Sequence, residues 1–362
     1  MLTINNSDLN KALSIVSKVV PSNPIIPMLG GILFEVNPKS ITLSATNFEV
    51  SIRYKFSITK GEKLQTVVPS DTISKLSSII YEDKVKVAYS EAEQEMTLKT
   101  KSSTNKVKCI AAKDFPSLPK SPTEYITIPV KQLKQMVNRV SFAAKREGEQ
   151  AISGVEITVD KNVMTMFALD GFHLSFETFT IDNKKKAKMN SIVKAQTLEM
   201  VAKLLDDEGD VKIYASDNQM FFSSGDIYIV CQLLDGNFPS HDMVKAPKPK
   251  VKTVTATLDL LRACKQAEVF AKDSGKAALK TSGMLMSISI DEKQRGGTIV
   301  NIPSVIKGDE LLIGVNIFFL KQFLEICNTG NVLIDFVNNE SPMVLRMEGN
   351  KEYHHIIMPM AL

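Results

Sequence analysis

VPSDTISKLSSIIYEDKVKVAYS (68–90), VKAQTLEMVAKLLDDEGDVKIYAS (193–216) and VNIFFLKQFLEICNTGNVLIDFV (315–337) are the stretches on which the fold turns. Each passes from an apolar helical face through a short acidic or Gly/Asn turn into a run rich in β-branched residues. Their starts lie 125 and 122 residues apart, and self-similarity at a fixed period marks a repeated structural unit. A second helical pattern recurs in step: SDLNKALSIVSKVV from Ser7, VKQLKQMVNRVSFAA from Val130 and LDLLRACKQAEVFA from Leu258. Its anchor leucines, Leu9, Leu133 and Leu261, are separated by 124 and 128 residues. Phe-Pro-Ser occurs at Phe115 and again at Phe238, 123 residues on. Three independent echoes at one period indicate a triplication.

Between the helices lie short alternating segments such as GGILFEV, ITLSAT, VSIRYKF, GVEITVD, NVMTMFAL and MLMSISI, bounded by Gly, Asn, Asp or Lys turns. They read as half-buried strands. Each repeat is therefore expected to hold two helices and about eight strands, an α+β fold with helices on one face of antiparallel sheets. The Pro- and Lys-rich stretches 116–124 and 245–252 place the boundaries, giving domains 1–124, 125–249 and 250–362.

Composition narrows the function. The 362 residues carry 44 Lys plus Arg against 40 Asp plus Glu, a net charge of +4, with a pI of 8.6. That is below the value of about 9 typical of chains that bind polyanions by charge alone. No run approaches the ~18 apolar residues of a membrane span. The start MLTINNSDLNKAL lacks signal-peptide order, so a cytoplasmic location is expected. Cys109, Cys231, Cys264 and Cys327 are scattered, with no CxxC, and read as reduced thiols.

An enzyme would need a nucleophile, a base or a metal site. His354 and His355, adjacent on an expected terminal strand, point to opposite faces and do not chelate one ion. Asp170 and His173 form a conceivable acid/base pair, but Asp-Gly before an apolar residue is chiefly a turn signature. GxSxG, Walker, GxGxxG and HExxH patterns are absent. The expectation is no cofactor, no metal and no catalytic residues.

Positive charge is placed more tellingly. Residues 130–148 hold Lys131, Lys134, Arg139, Lys145 and Arg146 against Glu147, a balance of +4, and the matching stretches of the other repeats each stand at +1. Net-positive helices at equivalent positions suit loose, sequence-independent phosphate contact. The terminus HHIIMPMAL is apolar to its last residue, where chain ends are normally polar, and its methionines suit an adaptable peptide site.

Three repeats of about 120 residues, the Asp170-Gly171-x-x-Leu174 turn, LLDGNFPS (233–240) and the terminal MPMAL together resemble the bacterial DNA polymerase III β subunit, the sliding clamp, over essentially the whole chain. The resemblance implies three DNA-clamp domains per chain and a head-to-tail homodimer closed as a ring around double-stranded DNA. It implies no catalysis, and partners that include the DNA polymerase III α subunit, the clamp loader, and other polymerases and repair proteins. Carried over by position, the partner pocket comprises Ile152, Leu169, Gly171, Phe172, His173, Leu174, Pro239, Met243, Val244, Asn316, Phe319, Pro342, Met343, Met358, Pro359, Met360, Ala361 and Leu362. DNA-facing candidates are Lys145, Arg146, Lys194 and Lys272. Val107, Cys109 and Ile110, set against the 270–290 region of a second copy, are the dimer candidates. The chain departs from the family where Thr-Asp-Gly-His-Arg-Leu reads Leu-Asp-Gly-Phe-His-Leu and where Met243 and Ala361 replace arginines, so the pocket is expected to be more apolar. Asn23 and Asp71 stand where the family carries basic residues. Two other readings stay open at this level: a clamp-like peptide scaffold, such as a specialised paralogue or mobile-element clamp, and an enzyme using Asp170 and His173.

Overall fold

The computed structural model describes residues 2–148, 150–183, 186–239, 248–271, 274–292 and 296–362. One order of elements is used three times: strand, helix, four strands, helix, three strands. The first repeat runs β1 (Leu2–Asn5), α1 (Asn6–Val16), β2 (Gly31–Asn37), β3 (Ser40–Thr46), β4 (Val50–Ser57), β5 (Leu64–Pro69), α2 (Ser70–Ile79), β6 (Lys84–Ser90), β7 (Glu95–Lys99) and β8 (Thr104–Lys108). The second is β9 (Ile126–Pro129), α3 (Val130–Val140), β10 (Gly154–Asp160), β11 (Val163–Leu169), β12 (His173–Thr180), β13 (Met189–Lys194), α4 (Ala195–Leu204), β14 (Asp210–Ala215), β15 (Gln219–Ser224) and β16 (Ile227–Gln232). The third is β17 (Val251–Ala256), α5 (Thr257–Glu268), β18 (Lys276–Ser282), β19 (Leu285–Glu292), β20 (Gly296–Lys307), β21 (Leu311–Asn316), α6 (Ile317–Ile326), β22 (Asn331–Phe336), β23 (Met343–Met347) and β24 (Tyr353–Ile357).

Burial decides which helix face turns inward. The buried rows are Leu9, Ala12, Leu13 and Val16 on α1, and Leu133, Met136, Val137 and Val140 on α3. On α5 the row is Leu260, Ala263, Cys264 and Ala267. Each large side chain gains roughly 1.5–3 kcal/mol on burial, well above the ~0.7 kcal/mol spread of ordinary helix propensities. The α5 anchor is Leu260, one residue before the expected Leu261, which is only partly buried, while Cys264 and Ala267 lie on the buried row. Val68, Val193 and Val315 are each fully buried.

The chain packs as two units, Met1–Lys131 with Met200–Leu233, and Gln132–Glu199 with Leu234–Leu362. The first holds a four-stranded sheet, β1-β6-β7-β8, and an eight-stranded sheet, β5-β2-β3-β4-β16-β15-β14-β9. In the larger sheet β4 meets β16 antiparallel, from Tyr54 opposite Ile227 to Val50 opposite Cys231. A sheet begun by the first repeat is thus continued by the second. α1 packs on α2, β3 and β4.

The second unit holds a twelve-stranded sheet, β13-β10-β11-β12-β24-β23-β22-β17-β20-β19-β18-β21. Here β12 meets β24, from His173 opposite Ile357 to Glu177 opposite Tyr353. α5 packs on α6, β19 and β20. The two joints employ equivalent strands: β4 and β12 on one side, β16 and β24 on the other.

Candidate functional site

The joint of β12 with β24 carries the residues singled out in the sequence. Leu169 ends β11, and Asp170 Oδ1 accepts the N–H groups of Phe172 and His173 at 2.8 and 2.9 Å. Gly171, at φ +96°, makes the left-handed corner that a side chain would strain. Asp170 Oδ2 lies 3.2 Å from His173 Nε2. Burial works to raise the Asp170 carboxyl, but hydrogen bonds from His173 and the turn amides outweigh it and hold it below the usual carboxylate range. His173 is 5% exposed and stacks on Phe319 with ring centres 4.0 Å apart. The pair clamps a turn against an aromatic ring, which supports the turn reading over an acid/base pair.

The terminal residues close over this corner. Met358 N–H donates to Phe172 O at 2.8 Å, and Met360 N–H donates to Gly314 O at 2.8 Å. A cavity of about 380 Å³ lies between Gly314, Asn339 and Glu340 on one side and Pro359 to Leu362 on the other. A larger cavity of about 810 Å³ lies in the first repeat and holds none of the expected residues.

Beneath the corner, Phe167, Leu169, Leu174, Val344 and Ile356 form a separate apolar cluster, flanked by Ile152, Phe176 and Phe238. Of the residues expected at a partner pocket, Ile152, Leu169 and Leu174 therefore meet. Phe172 stands 66% exposed at the rim. Asn316 caps α6 by accepting the Phe318 N–H at 2.9 Å. Pro239, Pro342, Pro359 and Met360 are half-buried, Ala361 is exposed, and Met358 and Leu362 are 44% and 56% exposed. Met343 is 1% exposed within the main core of the third repeat. Its expected place in the pocket is corrected by strand alternation: the neighbour Val344 faces the cluster instead. Ile356, Phe176 and Phe238 were also missed, although two-residue periodicity along β12 and β24 carries the first two. Met243 and Val244 lie outside the described residues.

His354 and His355 do point to opposite faces. His354 stacks on Phe176 at 4.8 Å, and fully buried His355 stacks on Phe323 at 5.4 Å and shares a 2.7 Å hydrogen bond with Ser175 Oγ through Nδ1. Burial holds the imidazole of His355 well below its ordinary pKa, and that of His354 below it too. Burial pushes the thiols of Cys231, Cys264 and Cys327 up to about 12, so none is poised as a nucleophile. Among the described residues no group of His, Cys, Asp or Glu is arranged to hold a metal ion, and no helix is long and apolar enough to cross a membrane.

The basic candidates are partly spoken for. Lys145 is exposed in the loop after α3 and Lys194 is half-buried at the end of β13. Arg146 Nη1 is 2.9 Å from Glu199 Oε1, which also accepts the Ser141 hydroxyl at 2.8 Å. Arg139, counted above as helix surface charge, turns inward to Glu177 at 2.6 Å, with side chains 13% and 4% exposed. Its charge is spent inside the fold, which lowers the outward balance of the α3 stretch. Lys272 lies outside the described residues.

At the dimer candidates, the Val107 side chain is 3% exposed and faces its own core. Cys109 N–H donates to Gln94 O, and Ile110 exchanges both backbone hydrogen bonds with Val67. The accessible feature is the backbone of β8, which among the described residues pairs only with β7. The counterpart expected at 270–290 offers no free strand edge among the described residues. β18 is flanked by β19 and β21, and β19 by β18 and β20, so neither has a free edge. Among the described residues, Gly296–Pro303 of β20 pairs only with β19, whereas Ser304–Lys307 pairs with β17.

Comparison with known proteins covers the chain end to end. The profile of the DNA polymerase III beta subunit, N-terminal domain, matches residues 1–119. Those of the central and C-terminal domains match 127–240 and 246–361. The beta sliding clamp of Synechococcus elongatus is 24% identical over 100% of this chain and 99% of its own length. That of Bacillus subtilis is 22% identical over 99% and 98%. Among solved structures, the Pseudomonas aeruginosa sliding clamp bound to griselimycin superposes with a TM-score of 0.95 at 21% identity, covering 100% of this chain and 99% of that one. The Streptococcus pyogenes beta subunit gives 0.95 at 22%, covering 100% of both.

Proposed function

The chain belongs to the DNA polymerase III beta subunit family, and from that premise we propose that it is a sliding clamp, a non-catalytic ring that keeps a DNA polymerase on its template. The observation that carries this reading is the tandem joint. Two strand pairings, β4 with β16 and β12 with β24, use the same two edges of the repeat, and one of each edge is left over, on β8 and on β20. Pairing β8 of one copy with Gly296–Pro303 of another, and the reverse, repeats the joint and closes two chains head to tail. Val107, Cys109 and Ile110 then belong to the interface through β8, the strand that bears or precedes them. The reading keeps the three domains at 1–124, 125–249 and 250–362.

Encirclement explains the electrostatics. A ring that slides has to hold DNA without braking on it, so a modest net charge of +4 with lysines on helices and adjoining loops is appropriate. Lys145, Arg146, Lys194 and Lys272 are the proposed phosphate contacts. The cluster under the Leu169–Leu174 turn, with Phe172, Phe319 and the tail Met358–Leu362, is the proposed seat for short segments of the polymerase α subunit, the clamp loader, and other polymerases and repair proteins. Its rim exposes apolar side chains, Phe172, Met358 and Leu362, which favours apolar anchors in the partner. The site of action is the bacterial cytoplasm, at the nucleoid.

The test is topological. Protein loaded onto nicked circular DNA with clamp loader and ATP is expected to remain through gel filtration and to leave when the circle is linearised. Retention after linearisation would show ordinary DNA affinity in place of encirclement and overturn the proposal.

A further inference from the structure

In every repeat, the chain that leaves the last strand crosses back to the outer edge of the strand preceding the second helix. Ile110 bonds to Val67 on β5, Leu234 N–H donates to Ile192 O on β13, and Met360 N–H donates to Gly314 O on β21. The three receiving positions are equivalent, each one residue before the shared Val68, Val193 or Val315. The first two carry β-branched side chains that are 0% and 7% exposed. The third has none. A Cβ built on Gly314 would fall inside the van der Waals shell of the Met360 carbonyl oxygen, 3.0 Å from the Met360 carbonyl carbon and 3.3 Å from Leu362 Cδ2. The obstacle is backbone, which cannot swing aside as a flexible side-chain end would.

Resting on the pocket reading above, we infer that Gly314 is the positioning residue of the partner pocket. It lets the terminal tail lie over β21, where a side chain would lift it away. Gly314 is two residues before Asn316 and five before Phe319, the ring on which His173 stacks. One short segment thus fixes the tail, the α6 cap and the aromatic floor relative to one another. Met358 is held independently at Phe172 O, so losing the Gly314 contact frees Pro359 to Leu362 while leaving the tail's root attached. A binding surface of Met and Leu side chains gains affinity from being held in place beforehand.

The experiment compares the full-length parent, Gly314→Ala, Gly314→Val, Met360→Pro and a deletion of Met358–Leu362. Gly314→Val installs the side-chain type that the other two repeats carry at this position. Met360→Pro removes the N–H donor from the opposite side without touching β21. Readouts are hydrogen exchange of the C-terminal segment, affinity for the immobilised DNA polymerase III α subunit, and dimer state by light scattering. In Gly314→Val the Met360 amide is expected to exchange at the unprotected rate, and in both Gly314→Val and Met360→Pro the α-subunit affinity is expected to fall roughly tenfold, with Gly314→Ala between these and the parent and the dimer unchanged in all. Tail protection retained in Gly314→Val overturns the inference. So does α-subunit affinity within twofold of the parent in both Gly314→Val and Met360→Pro while the deletion abolishes binding. If the deletion itself leaves affinity intact, the pocket assignment of the tail fails, and exchange in Gly314→Val alone decides whether Gly314 seats it.

Discussion

Glu199 sits between two donors, the Ser141 hydroxyl and the Arg146 guanidinium. Arg146, a proposed phosphate contact on an exposed loop, is therefore already answered by a carboxylate on α4. Arg146 is half exposed, so the pair is worth only about 0.5 kcal/mol. That is enough to bias the arginine away from DNA without forbidding contact. Glu199→Gln keeps an acceptor for Ser141 and removes the charge. It is expected to raise affinity for a short linear duplex roughly twofold and to steepen the salt dependence, read by fluorescence anisotropy across a salt series. Unchanged affinity and slope would remove Arg146 from the DNA face. His355 makes a second residue-scale prediction. It is wholly buried, with its imidazole held well below its usual pKa. The unfolded chain therefore binds a proton below about pH 6.5 that the native chain refuses, and stability falls as pH drops through that window. Asp170, His173 and Arg139 lie on neighbouring elements, as does Glu177, whose carboxyl is raised by burial and acts with opposite sign. A variant comparison isolates the histidine. Between pH 6.5 and 5 the parent is expected to lose stability faster than His355→Gln, by up to about 1.4 kcal/mol per pH unit. Parallel urea-unfolding curves would contradict it.

At the scale of elements, hydrogen-bond direction on β8 gives a sharper handle than its side chains. Cys109 N–H points to β7 and Ile110 N–H points the other way, to Val67. Following that alternation back along the strand, the N–H groups of Thr104, Lys106 and Lys108 face away from β7. Lys106→Pro removes one outward donor while sparing the ladder to β7. It is expected to weaken the homodimer at least tenfold in sedimentation, with little change in melting temperature; an unaltered dimer would place the interface elsewhere. Much of the element order was legible beforehand, because the apolar rows of α1, α3 and α5 and the valines at 68, 193 and 315 are local patterns. What local pattern does not carry is which strand a sheet recruits next, since that depends on chain separated by well over a hundred residues. The Asp170-Gly171 turn is such a local pattern, whereas which of Met343 and Val344 faces the apolar cluster is not. Arg139 likewise looked like helix surface because Glu177, which neutralises it, lies on β12. Gly314 left no mark in composition or period; only the path of the tail gives it meaning.

For the whole molecule, light scattering at micromolar concentration is expected to give twice the 40.0 kDa chain mass. A strict monomer would favour the peptide-binding scaffold over an encircling ring. The leftover edges on β8 and β20 say more than that two copies meet. On the proposed closure each chain is, in the language of polymer chemistry, an AB monomer, bearing one reactive end of each kind. Such monomers face a choice between cyclising and growing into open filaments, and the choice is governed by geometry and dilution. Every joint turns the path by whatever angle its sheet pairing dictates. The number of chains in a closed object is then set by that angle and by the repeats per chain, not by the chemistry of either end. A change in twist at a joint inside the chain would alter stoichiometry without touching the interface, and high concentration would favour filaments whenever the turn no longer summed to a full circle.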